Sequence, residues 1–227
     1  MATRTRRRSS SPRRNARSLR KRDPQASRQQ LLEAAIDVFS RLGLEAATID
    51  AICSRAGLNK RMAYHYFGSK ENLYRETLRI VYDQFFNVEI GLASMLLPPE
   101  ELFETVVRRY YAFLGEHPEF VRLISFENLN GGQVARQLSL EGKKAQIATA
   151  LQLALQKGQA ERRFRQGIDV TELLVSIFSL CFFYFSNQYT MGRFMGLDTL
   201  ARRTDVESRI RHVVGLLLHG IAHDDGV

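Results

Sequence analysis

The sequence predicts an all-α fold of about nine helices, and three observations carry that expectation. Apolar residues recur at intervals of three and four through most of the chain, which is the spacing of one helix face. Side chains suited to helix N-caps, among them Thr48, Asn59, Ser69 and Asp169, stand just ahead of those stretches. No segment reads as a convincing strand, and no sequence repeat is visible. A chain of 227 residues has core enough for one large domain or two small ones.

Residues 1–24 are rich in Arg and Ser with almost nothing to bury, which predicts disorder. Ser27, followed three residues later by Gln30, has the form of a capping box. It opens a first helix on Leu31, Ala35, Val38, Phe39 and Leu42, with Gly43 as its stop. Thr48 caps a second helix through Ala56, and Asn59 caps a third. Ser69 caps a long fourth helix carrying Leu73, Leu78, Val81, Tyr82, Phe85 and Phe86. Pro98-Pro99-Glu100-Glu101 opens a helix to about Glu116, because proline and acids both suit a first turn. His117-Pro118 breaks it and starts a short helix through Asn128. Gly131-Gly132 sets off a long helix with Val134, Leu138, Ala145, Ala148, Leu151 and Leu155, closed by Gly158. Asp169 and Glu172 make a second capping box, leading a helix through about Phe194. Asp205 begins the last helix, on the stripe Ile210, Val213, Val214, Leu217, Leu218 and Ile221.

The formal charge of +9 points toward nucleic acid, but its placement matters more than its size. Ten cations and no acid lie between Met1 and Arg22, which leaves 23 basic against 24 acidic residues for the rest of the chain. The basicity belongs to the tail. Cys53 and Cys181 stand far apart without a His/Cys cluster, against a disulfide framework or structural zinc and in keeping with a reducing cytoplasm. The charged N-terminus lacks the apolar run of a signal peptide, and Leu173–Phe185 falls short of the roughly 20 residues needed to span a bilayer. No membrane partner and a cytoplasmic location are expected.

Thr48 to Lys70 carries the functional signal. Ile49, Ile52, Cys53 and Ala56 give the second helix an apolar or small inner face, and Gly57 allows a sharp turn. At 100° per residue, Lys60, Arg61, Tyr64 and His65 share one arc of the third helix, while Met62, Ala63 and Tyr66 take the other and Phe67 closes the end. One face for core and one cationic, aromatic face without acids is what a major-groove reader needs. Lys60 and Arg61 are suited to guanine edges or phosphate, and Tyr64 to a thymine methyl or phosphate. Thr48 and Lys70 begin helices whose free N–H groups favour phosphate.

These residues resemble the TetR family of transcriptional regulators. The matching features are F-x-x-x-G at Phe39–Gly43, Thr48, I-x-x-x-A-G at Ile52–Gly57, Y-x-Y-F at Tyr64–Phe67 and S-K-E-N-L at Ser69–Leu73, over about residues 28–80. The resemblance implies that Lys60, Arg61, Met62 and Tyr64 lie near bases and that Thr48, His65, Tyr66 and Lys70 contact phosphates. Many members have a small residue where Arg61 stands and Leu or Ile where Ala63 stands, which implies a different operator preference and a slightly looser helix contact. After the Arg/Ser-rich basic tail over 1–24, the organisation it implies is a DNA-binding domain over 25–85 with the helix-turn-helix at 48–67, and an effector-binding and dimerisation domain over 86–227.

The helix after Asp169 has two candidate faces, Leu173/Ile177/Leu180/Tyr184/Gln188 and Val175/Ser176/Ser179/Phe183/Ser186, and the last helix adds Gly215 and Gly220. Helices 170–194 and 205–223 are therefore expected to form a four-helix homodimer interface, and two-fold symmetry then calls for a palindromic operator. Candidate walls for a small organic effector are Tyr82, Phe85, Phe86, Tyr110, Phe113, Phe126, Phe178, Phe182 and Asn187, although aromatics at helical spacing are more often plain core. An inducer would favour a state whose recognition helices are misplaced, a co-repressor the opposite. His219 and His223 stand at i, i+4, but exposed histidines at a helix C-terminus suit its dipole without a metal, and no metal or other cofactor is expected. Scattered Ser, His and acidic residues and no glycine-rich phosphate loop give no catalytic constellation.

The leading expectation is a homodimeric DNA-binding regulator, a repressor released by an effector, and not an enzyme. A helical carrier or enzyme with incidental basic segments would bind DNA only weakly and with strong salt sensitivity. A protein acting on RNA or a membrane surface through its tail would lose function with the tail. The tail itself reads as a solvated arm, a separate nucleic-acid-binding segment or, the favoured reading, a salt-dependent clamp on DNA.

Overall fold

The computed structural model describes residues 23–88, 91–92, 95–140, 145–196 and 203–223. The basic stretch 1–22, expected to be a disordered clamp, lies outside the described residues. The described chain is a bundle of ten α-helices, and its one extended pairing is an isolated bridge between Phe164 and Ala222.

Helix α1 (Pro24–Ala46) starts earlier than Ser27 because Asp23 caps it, accepting the Gln25 N–H at 2.9 Å, with Pro24 in the first turn. Ser27 is buried inside the helix instead. Gly43, at φ 70° and ψ 179°, breaks the helical path as expected, but helical bonding resumes through Ala46. Next come α2 (Ile49–Ala56), α3 (Lys60–Phe67) and α4 (Lys70–Asn87), each opened by the side-chain cap read from the sequence. Helices α5 (Pro99–Glu116) and α6 (Pro118–Leu129) meet at His117, where a proline at the first turn of α6 prevents one continuous helix.

The long helix expected after Gly132 does not form as one piece. Val134 and Leu138 flank a short 3-10 turn (Ala135–Gln137), and α7 covers Ala145–Ala160. The cause is Glu127 near the end of α6. Its Oε2 accepts the Ala135 N–H at 2.9 Å and its carbonyl accepts the Gly132 N–H at 2.7 Å, which folds the glycine pair back onto α6. Past α7, the Phe164 ring lies against Gly158, where an added Cβ would come within 2.2 Å of it. Only glycine fits there. Helix α8 (Val170–Ser186) is capped by Asp169 as expected, but it stops at Asn187 and α9 (Gln188–Phe194) leaves at 78°. The expected single helix through Phe194 is therefore two. Helix α10 (Arg203–Ile221) begins two residues before Asp205.

One hydrophobic core runs through the bundle. Helix α1 packs on α2, α4 and α6, so it joins the helix-turn-helix to the rest. Helix α5 is the centre of the second half, against α7, α8 and α10. Among the described residues no single helix is long and apolar enough to cross a membrane.

Candidate nucleic-acid interface

The recognition unit is set by caps. Thr48 Oγ1 accepts the Ala51 N–H at 3.1 Å, and Asn59 Oδ1 accepts the Met62 N–H at 3.0 Å. Between them Gly57 adopts the left-handed conformation (φ 64°, ψ 29°), and the Leu58 N–H returns to the Cys53 carbonyl at 3.0 Å. A Cβ-bearing residue there would be strained, so Gly57 fixes the angle at which α3 leaves α2. Ile49, Ile52 and Cys53 bury the inner face of α2. Burial pushes the Cys53 thiol above its ordinary pKa, as suits a small core residue.

Helix α3 presents two faces. Ala63 and Phe67 are buried, while Lys60, Arg61, Tyr64 and His65 are exposed, Tyr64 at 48%. Ala63 retains only 1% of its surface, so the looser contact expected there opens no gap to solvent. Met62 and Tyr66 are half-buried against the core, so Met62, expected near bases, stands largely on the inner side of the helix. Lys60 reaches back to α2, its Nζ 2.8 Å from Asp50 Oδ2, and this hydrogen bond raises the Lys60 pKa.

Lys70 departs most from the sequence reading. Its ammonium donates to the carbonyls of Leu44 (2.9 Å), Glu45 (3.3 Å) and Ala47 (3.1 Å). Those carbonyls follow the Gly43 kink and lack helical partners, so the side chain expected to reach phosphate ties the end of α1 to the start of α4. What Lys70 leaves for an anion is its backbone N–H in the first turn of α4. Sequence reasoning also missed Arg28. Its guanidinium lies 5.1 Å over the Phe67 ring at the end of α3 and pairs with Glu76 of α4 at 2.9 Å, fastening the base of the recognition helix.

The candidate effector walls separate into core and cavity. A cavity of about 960 Å³ lies where α1, α5, α6, the α8–α9 corner and the start of α10 meet. Phe126 is the one of the nine expected residues that lines it. Phe85 sits instead at the centre of a packed aromatic cluster, with ring centroids 5.6 Å from Phe86, 5.3 Å from Tyr110, 5.5 Å from Phe113 and 5.3 Å from Phe178. Tyr82 stacks on Phe86 and Phe182 on Phe178. Rings that fill one another's space are core, and the cavity opens beside them. Asn187 ends α8, its amide donating to Ser186 Oγ at 2.8 Å. The cavity wall includes Ser40, Arg41, Tyr111, Arg122 and Phe185, which follow no periodic pattern. Burial pushes the Tyr111 phenol up to about 12, so it stays neutral, its hydroxyl donating to the Leu180 carbonyl of α8 at 3.3 Å.

The dimerisation expectation falls on exposed apolar groups. Val175 (56%) and Phe183 (48%) on α8 and Leu216 (51%) on α10 are open to solvent, with Ser176 and Ser179 between the first two. The complementary stripe of Leu173, Ile177 and Tyr184 is buried within the protomer. His219 Nδ1 hydrogen-bonds to the Gly215 carbonyl at 2.7 Å, and no group of three metal-ligating side chains forms among the described residues.

Residues 31–77 match the family described as bacterial regulatory proteins, tetR family, and residues 99–216 match the tetracyclin repressor-like C-terminal domain. The chain is 34% identical over 196 residues to the HTH-type transcriptional repressor NicS of Pseudomonas putida, covering 86% of this chain and 92% of that one. It is 26% identical over 176 residues to the HTH-type transcriptional repressor KstR2 of Rhodococcus jostii, covering 78% and 86%. Among solved structures, a TetR-like transcriptional regulator from Rhodococcus superposes with a TM-score of 0.63 at 19% identity, covering 86% and 94%. The transcriptional regulator FadR from Bacillus subtilis in complex with stearoyl-CoA gives 0.63 at 19%, covering 85% and 98%.

Proposed function

Because the chain belongs to the TetR family of bacterial regulatory proteins, we propose that it is a homodimeric repressor that leaves a palindromic operator when a small organic effector binds. One observation carries the DNA reading: α3 stands on a glycine-set turn and offers Lys60, Arg61, Tyr64 and His65 outward, beside the capped starts of α2 and α4. Lys60, Arg61 and Tyr64 read base edges, with Met62 adding apolar contact from the margin of the face. Thr48, His65, Tyr66 and the Lys70 N–H hold phosphates. The proposed domains follow, with DNA binding over 25–85 and effector binding and dimerisation over 86–227.

Homodimerisation is supported by the exposed Val175, Phe183 and Leu216, since apolar groups left open on α8 and α10 favour burial against a second copy. Two copies related by a two-fold axis present two recognition helices, which is why the operator should be an inverted repeat. The cavity beside Phe126 supports an effector, and the FadR structure is an instance of this fold holding a small-molecule ligand. Occupancy shifts the population toward protomers whose recognition helices no longer match the two half-sites. The protein acts in the cytoplasm, where its operator lies.

Selection of bound sequences from random DNA by the full chain tests the proposal. An enriched inverted repeat is expected, and with Tyr64→Ala the repeat should still be recovered but with relaxed preference at one position of each half-site. Recovery of no preferred sequence by the wild-type protein would defeat the reading.

A further inference from the structure

The cavity is bounded on one side by α1, through Ser40 and Arg41, and on the other by α6, through Val121, Arg122 and Phe126. A ligand there would touch the helix-turn-helix half of the molecule itself. Two contacts lead from this wall to the α1–α2 corner. Arg41 Nη2 lies 2.7 Å from Asp37 Oδ2, and the same oxygen is 2.8 Å from Nε of Arg55 in the last turn of α2. One carboxylate oxygen is thus shared by a cavity residue and a residue of the helix-turn-helix. Separately, the Phe126 ring presses on Gly43, where an added Cβ would lie 3.0 Å from the ring. Gly43 is the kink after which Lys70 grips the Leu44, Glu45 and Ala47 carbonyls and Thr48 opens α2. The corner is held by the cavity wall on one side and by α4 on the other.

The charges of the wall are unequally occupied. Glu207 is engaged by Arg108 through two hydrogen bonds of 2.8 Å. Arg122 forms no ion pair with another described residue, and Glu116 is the other acid of the wall. Val121, Phe126 and Phe185 supply an apolar floor.

We propose that this cavity is a control site for a small amphipathic anion, which acts on the α1–α2 corner directly. The acid group engages Arg122 and competes with Asp37 for Arg41, leaving Arg55 a changed partner. The apolar body bears on Phe126 and so on Gly43. The inference rests on the effector reading above, and deepens it by naming the ligand chemistry and the route of the signal.

The test uses the full chain with two fluorescent probes that share one ring system, 8-anilinonaphthalene-1-sulfonate and the uncharged N-phenyl-1-naphthylamine. Arg122→Ala should raise the Kd of the sulfonate about tenfold, the scale of one charged hydrogen bond, and change that of the neutral amine less than about twofold. Ser125→Trp should obstruct the cavity beside Arg122 and weaken binding of both probes, and Ala112→Phe does the same from the α5 side should the first variant misfold. In hydrogen exchange, saturating sulfonate should alter protection of the amides of residues 43–57 in the wild type, and alter it less in Arg41→Ala. An equal response of both probes to Arg122→Ala, undiminished sulfonate binding in both obstructing variants, or unaltered amides 43–57 under saturating sulfonate would each overturn the proposal. Altered amides together with undiminished operator binding would sustain the route and sink the effector reading instead, so the two fail separately.

Discussion

Lys70→Met separates two roles that a lysine at the start of α4 could play. The ammonium makes three hydrogen bonds of 2.9–3.3 Å to the carbonyls of Leu44, Glu45 and Ala47. Methionine keeps most of the side-chain volume and removes all three. A hydrogen bond to a charged group contributes about 1.5–3 kcal/mol where water is excluded. The Glu45 bond is exposed and Lys70 itself half-buried, so water replaces part of the loss. A net destabilisation of about 2 kcal/mol is expected, which for a chain of this size lowers Tm by roughly 4–8 °C. The effect on DNA follows from the same geometry. Since the ammonium already serves the protein, its removal should loosen the α1–α2 corner and weaken all sequences alike, while the slope of log K against log[salt] stays unchanged. A lysine neutralising one phosphate would instead reduce that slope by about 0.9 per subunit. Thermal melting and anisotropy titrations over 50–200 mM salt decide the matter. A lowered slope with an unaltered Tm would refute the reasoning.

Three further outcomes are expected. Tyr64→Ala should cost about 1–3 kcal/mol of operator binding and relax the preference at one position of each half-site, as measured by titration against singly substituted operators. Phe183→Arg, which sets a charge on the exposed face of α8, should shift the protein from dimer to monomer in light scattering while the melting of the protomer stays cooperative. Burial pushes the Cys181 thiol up to about 12. At pH 8 only about one thiol in ten thousand is then ionised, so native protein should resist iodoacetamide at this position and react after denaturation. Mass spectrometry of peptides labelled before and after denaturation checks this.

The recognition unit was legible because its determinants are local. A cap side chain binds an N–H two or three residues away, and a glycine turn depends on one backbone position, so Thr48, Gly57, Asn59 and Ser69 carry their geometry in a short window of sequence. The face of α3 followed from its period of 3.6 residues. What the sequence concealed depends on contacts between distant residues. Lys70 meets carbonyls 23 to 26 positions earlier. Glu127, which folds the chain after Gly132, also accepts the Tyr74 hydroxyl from α4, 53 positions away, through its other carboxylate oxygen. Neither has a periodic signature.

The effector walls differ from the recognition unit for a related reason. Searching for aromatics at helical spacing selects residues that face a shared interior, and those are the ones that fill it, as the rings around Phe85 do. A cavity persists where helix ends and small or charged side chains fail to interdigitate, at Ser40, Ala112, Gly115 and Arg122. Phe126 belongs to both patterns, since it lines the cavity from α6 and its ring lies over Gly43, where a Cβ would crowd it. Gly43 would therefore be constrained twice, once by the positive φ of the kink and once by the ring that the second half of the molecule lays against it. Replacing it with alanine strains the backbone and displaces Phe126 together, so any loss of operator binding would report on the corner and the cavity as one unit.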